Sequence, residues 1–245
     1  MTTKEILLVA LLLVLASVVL YGLHYAIFHD AHHIFIYLAG DIAFLPLEVL
    51  LVSLIVDRLL AAREVRSRQH KMNMVIGAFF SAVGRNLLRA MAELTADQTE
   101  ISAHVAVGQG WTEGQIRQAI AWARSRTFQV KPDPAGLARL RDLLVQHRDF
   151  MLRLLENPLL LEHEAFSDLL WAAFHLEEEL SARESLPASP PSDLDHLAVD
   201  AERVYTHLLT QWLEYTIHLR RSYPFLFSFA VRTDPLNADA RAEVA

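Results

Sequence analysis

Two long apolar stretches lead the chain, and apolar positions then recur at helical spacing almost to its end. The first stretch runs from Ile6 to Phe28 without a charged residue, longer than the roughly 20 residues that carry a helix across a bilayer. Lys4 precedes it, as a basic residue precedes a signal peptide's core. No small-x-small cleavage site follows, however, and the run is too long for such a segment, so it predicts a retained helix. The second stretch, from His33 to Leu60, reads HIFIYLAGDIAFLPLEVLLVSLIVDRLL and is also long enough to span. Pro46 near its middle removes one backbone hydrogen bond and predicts a kink. Only His29-Asp30-Ala31-His32-His33 joins the stretches, which makes them a helical hairpin.

From Met72 the pattern is helical throughout. Met72 to Leu94 opens with MNMVIGAFFSAV, too short to span and therefore a buried or membrane-surface helix. Thr112 opens a short helix to Arg126, and Lys131-Pro132-Asp133-Pro134 breaks the chain before a helix from Pro134 to Leu155. Asn157-Pro158 starts another, running to about Arg183. Leu186 to Ser192 is a Pro-rich linker, after which Asp193 or Asp195 is placed to cap a last long helix ending near Arg221. An aromatic run, Tyr223 to Val231, is suited either to docking under the bundle or to lying at a bilayer surface, and residues from Thr233 read as a polar tail. There are no repeats and no strands. The predicted class is all-α: a transmembrane hairpin (1–60), a basic linker with a cytoplasmic helical domain (61–185), then the linker, last helix and tail (186–245).

Gly40-Asp41-Ile42-Ala43-Phe44-Leu45-Pro46-Leu47-Glu48 and Tyr223 to Arg232 resemble stretches of an uncharacterised family of prokaryotic two-span membrane proteins with a cytoplasmic helical domain. The resemblance covers the hairpin and the final helix. It implies an inner-membrane location and no particular activity.

Charge sharpens the topology. Neither Lys nor Arg occurs at the hairpin tip, whereas Arg58, Arg63, Arg66, Arg68 and Lys71 follow the second stretch, so both termini are expected in the cytoplasm. A net charge of −7 over 245 residues argues against nucleic acid as a partner. The absence of cysteine excludes disulfides, thiolate metal sites and cysteine nucleophiles.

The chemistry of interest is in the second stretch. Asp41 and Glu48 are seven residues apart, hence on one helix face and roughly 10 Å apart along the axis. Leu45 and Val52 share that face. Tyr21 and His24 of the first helix lie at a level from which either would reach Asp41, but Ser17 is the one polar residue near the level of Glu48. A lone hairpin leaves Glu48 without a partner, so it must be protonated, face water or meet another copy. Asp57, on the opposite face beside Arg58, reads as interfacial. The bland alternative makes both carboxylates protonated contacts between helices.

A second cluster, His24, His29, Asp30, His32 and His33, crowds the tip. Imidazole and carboxylate suit a transition metal, with His29, Asp30, His32 and His33 as candidate ligands; the competing reading is a loop in which Asp30 caps the second helix. In the cytoplasmic part, His175 with Glu178 or Glu179, His196 with Asp200, and Glu214 with His218 share helix faces and read as structural pairs, while Trp171, Phe174, Trp212 and Tyr215 read as core. No Walker loop, G-x-G-x-x-G or G-x-S-x-G occurs, so no enzyme is expected. The expected function is a homo-oligomeric inner-membrane channel for inorganic cations lined by Asp41, Leu45, Glu48 and Val52. The alternative is a membrane-anchored helical adaptor or sensor for a protein partner.

Overall fold

A computed structural model describes residues 3–161, 163–237 and 240–243. Its regular elements are helical, with a single isolated bridge, Thr95 to Val130, among the described residues. Two compact units divide at Val65 and Arg66.

The first unit holds α1 (Thr3–Phe28) and most of the apolar part of α2 (Ala31–Phe79). The turn between them is two residues. His29 adopts a left-handed backbone (φ 51°) and its N–H donates to the Tyr25 carbonyl at 2.9 Å, closing α1. Asp30 then caps α2, its Oδ1 accepting from the His33 N–H at 3.1 Å. No side chain from Lys4 to His70 is buried. Both helices are long and apolar enough to cross a membrane by length and composition.

Helix α2 does not end at Leu60. It runs through Pro46 and on through the basic stretch expected to be a linker, 49 residues in all. The reason is local: Ala61 to Lys71 contains neither Gly nor Pro and is rich in Ala, Arg, Glu and Gln, which favour helix.

The second unit is a helical bundle around α9 (Pro191–Ser222). The segment after Met72 is core: Ile76, Phe79, Phe80, Val83, Leu87, Leu88 and Met91 are all buried, which settles the choice between a buried and a surface helix. It passes through a π-helical turn (Phe80–Gly84) into α3 (Arg85–Leu94). Such a turn inserts an extra residue and so rotates the side chains of α3 about the helix axis. Phe79 stacks edge-on to Phe166, and Phe80 packs against Trp212 and Tyr215, all with centroids 5.2–5.4 Å apart. Gly77 makes room for this cluster, since a Cβ there would lie 2.6 Å from the Tyr215 hydroxyl.

Helix α4 (Gln98–Val105) leads to α5 (Glu113–Arg124), whose capping box joins Thr112 and Gln115. Helix α6 (Pro134–Leu155) starts as expected, with Pro134 in its first turn and Asp133 accepting from the Ala135 and Gly136 N–H groups. The helix predicted from Asn157 is two, α7 (Pro158–Leu161) and α8 (Glu164–Ser181), because the His163 ring caps the second by accepting from the Phe166 N–H at 3.1 Å. A short 3₁₀ turn (Leu186–Ala188) lies inside this unit and no domain boundary falls there. Helix α9 begins without an aspartate cap: Asp193 is instead bound by Arg183 at 2.8 Å. Helix α10 (Pro224–Arg232) comes next. The expected polar tail is packed at its start, with Asp234 and Leu236 buried.

Candidate functional site

Asp41, Leu45, Glu48 and Val52 lie along one face of α2, and all four are exposed. Neither carboxylate has a hydrogen-bond or ion-pair partner among the described residues. The bond expected from Tyr21 or His24 to Asp41 is not formed. His24 instead packs against Phe28 and stacks with His33, at centroid separations of 4.8 and 6.3 Å. An ionisable pair within the exposed, apolar first half of α2 is thus left to whatever surrounds it.

The candidate ligands His29, Asp30, His32 and His33 all stand at the tip, where among the described residues no three His, Asp or Glu side chains are grouped closely enough to hold a metal ion. The carboxylate of Asp30 is engaged by the His33 N–H. His32 and His33 are consecutive helical positions, about 100° apart around the axis, and the His33 ring packs edge-on to Tyr37.

In the second unit the sequence pairs are rearranged. Asp200 of α9 is 3 % exposed; its Oδ1 accepts from Arg203 at 2.9 Å, and its Oδ2 lies 3.4 Å from the Nε2 of both His175 and His196. So His196 meets Asp200 as expected, whereas His175 meets Asp200 of a neighbouring helix. Glu214 binds Arg124 and Gln211, at 2.6 and 2.8 Å, leaving His218 among His70, Tyr215 and Tyr223. Burial, and then the neighbouring His70, push the His218 imidazole below its ordinary range. Phe174 and Trp212 are core and Tyr215 half-buried, but Trp171 is 64 % exposed on α8.

Two features escaped the sequence reading. One is Asp234, whose carboxylate is buried behind α10. Its Oδ2 accepts from the Val107 N–H and its Oδ1 from the Leu236 N–H, both at 3.1 Å. The Trp212 indole N–H lies near it without completing a hydrogen bond. Burial pushes its pKa up to about 6, against the pull of those backbone donors. The sequence signal was the Asx-turn spacing of Asp234 and Leu236 directly after a helix. The other is an apolar cavity of about 180 Å³ bordered by Gly77, Phe80, Arg85, Trp212, Leu226 and Phe229. At its edge Arg85 lies over the Phe229 ring and donates to the Thr233 hydroxyl at 3.2 Å.

Residues 68–232 match a family model described as "Uncharacterized protein MJ1433, C-terminal helical domain", and residues 2–60 match "MJ1433, N-terminal helical domain". The chain belongs to the MJ1433 family. Uncharacterized protein MJ1433 of Methanocaldococcus jannaschii is 40% identical over 234 residues, which cover 96% of this chain and 94% of that protein. No solved structure matches. The N-terminal domain of the MJ1433 family, residues 2–60, falls within the first compact unit, and the C-terminal domain, residues 68–232, within the second.

Proposed function

We propose that the chain is a homo-oligomeric protein of the prokaryotic inner (cytoplasmic) membrane, in which α1 and α2 cross the bilayer and α2 from several copies lines a path for inorganic cations. One observation carries the reading: Asp41 and Glu48 stand exposed on one face of an apolar helix with no partner in their own chain among the described residues. In hydrocarbon such groups must meet water, ions or another subunit. Rings of carboxylates from symmetric copies are a general means of attracting cations. Leu45 and Val52 would place apolar rings between and beyond the acidic ones. The basic residues Arg58 to Lys71 after the span, and the absence of Lys and Arg at the tip, favour a cytoplasmic position for both termini.

The rival reading, a membrane-anchored adaptor or sensor, has exposed Trp171 in its favour, since a large exposed aromatic suits a partner surface. Assembly separates the two. The chain lacks cysteine, so Leu45→Cys is the single thiol and its disulfide formation in membranes, which joins two copies at most, reads whether this face meets itself, while native mass spectrometry in nanodiscs counts the copies. Cross-linking at position 45 within an assembly of more than two copies supports a shared path. A protein that remains monomeric in membranes excludes it and favours the adaptor.

A further inference from the structure

Helix α10 is apolar on two faces. Phe227, Ala230 and Val231 are buried against the bundle, whereas Phe225, Leu226 and Phe229 are exposed by 71, 41 and 42 %, the last two at the mouth of the apolar cavity. Positions 225, 226 and 229 form one continuous patch of a helix surface. Two guanidinium groups border it: Arg85 and Arg232 lie 5.7 and 6.0 Å from the Phe229 ring centre.

These arginines lack carboxylate partners among the described residues. Arg85 donates to the Thr233 hydroxyl, and Arg232 to the backbone carbonyls of Ser228 and Ala242. Their neighbour Arg221, by contrast, is already paired with Glu113 at 2.8 Å. The chain as a whole carries a net charge of −7, so an uncompensated cationic rim around exposed aromatics is a local feature and does not derive from composition.

We infer that the outer face of α10 is a membrane-contact surface that seats Phe225, Leu226 and Phe229 at the headgroup boundary of an anionic bilayer, with Arg85 and Arg232 on the lipid phosphates. Helices with an apolar face flanked by basic residues bind interfaces in this way, and anionic lipid strengthens the attachment. The rim favours lipid over an apolar protein partner, because two cations without carboxylate partners beside a hydrophobic patch match a surface that presents phosphate above hydrocarbon. The inference rests on the proposed membrane reading of the hairpin.

The test uses the full chain, in which any introduced cysteine is the sole thiol. Single variants Phe225→Cys, Leu50→Cys and Val199→Cys carry an environment-sensitive fluorophore and are reconstituted in nanodiscs of phosphatidylcholine alone or with phosphatidylglycerol. Val199 is exposed on α9 and serves as the aqueous control. Emission from position 225 should shift to the blue and brighten at least twofold in anionic discs relative to neutral ones, and high salt should reverse the gain. Position 199 should stay aqueous in both. A water-like probe at 225 in anionic discs, beside a lipid-like probe at 50, overturns the inference and leaves the spanning hairpin intact. A water-like probe at 50 overturns the hairpin reading itself. A probe at 225 equally shielded in both lipids and in detergent means that protein covers the face, which also overturns the inference.

Discussion

The carboxylate of Asp234 accepts a hydrogen bond from the Val107 N–H at 3.1 Å, joining residues 127 apart in sequence. The same strap is held by the Ser102 hydroxyl, which donates to the Leu236 carbonyl at 2.6 Å. Asp234 and Leu236 are thereby fixed to α4 and the segment that leads into α5, and α10 is held between two anchored points.

The burial of that carboxylate makes stability depend on pH in a definite direction. Burial raises the Asp234 pKa to about 6 from 3.8, so between these values the folded state binds more protons than the unfolded one. Its contribution is therefore complete below about pH 4 and is lost as pH rises through 6, a change on the order of 3 kcal/mol. Asp234→Asn carries no such titration. The difference in Tm between wild type and Asp234→Asn, followed from pH 4 to 7, should move steadily against the wild type. A constant offset across that range would show that Asp234 titrates normally.

Glu177 is buried and its Oε2 is held by Arg148 at 3.0 Å, while Ser181 donates to the other oxygen. Arg148→Ala should cost about 1–2 kcal/mol, because a largely desolvated carboxylate loses its cation but keeps one donor and some solvent access. Arg117→Ala should leave Tm unchanged, since Arg117 is 62 % exposed and Glu113 keeps Arg221. Equal effects of the two substitutions would contradict the burial argument.

Among the described residues the tip groups no three metal-ligating side chains; with Asp30 serving as the cap of α2, purified protein should hold no stoichiometric zinc or nickel at neutral pH, and His32→Ala with His33→Ala should leave its metal content unchanged. Elemental analysis checks this. One tightly held metal per chain, lost in that variant, would restore the tip histidines as ligands.

Topology has its own check. A reporter fused after Ala245 should be active when it requires the cytoplasm and inactive when it requires export. The opposite pattern would invert the hairpin.

The helices were legible where local chemistry sets them. Asp133-Pro134 marks the start of α6 because proline is pre-set for a first turn and aspartate supplies the cap. Thr112 and Gln115 mark α5 in the same way. The rest departs from the pattern in one place for a local reason and elsewhere because tertiary context decides. Nothing in Arg63 to Lys71 stops a helix, yet charge alone suggested a linker. Asp193 has the residue type of a cap, but Arg183, in the connection just after α8, claims it. Trp171 has the spacing of a core residue but lies on the outward side of α8. Asp234 was hidden because a polar sequence after a helix reads as a tail unless its partner, 127 residues away, is known. The carboxylates of α2 were legible because a charge inside an apolar run is anomalous without any structure.

Those carboxylates also carry the most direct test. Wild-type protein in liposomes should pass monovalent or divalent cations, and Glu48→Gln should keep the oligomer while cutting flux or cation selectivity at least tenfold. Asp41→Asn should act in the same direction, and Asp57→Asn, on the opposite face, should be silent. No flux from wild type under any cation or voltage, together with a Glu48→Gln protein indistinguishable from it, would contradict the account.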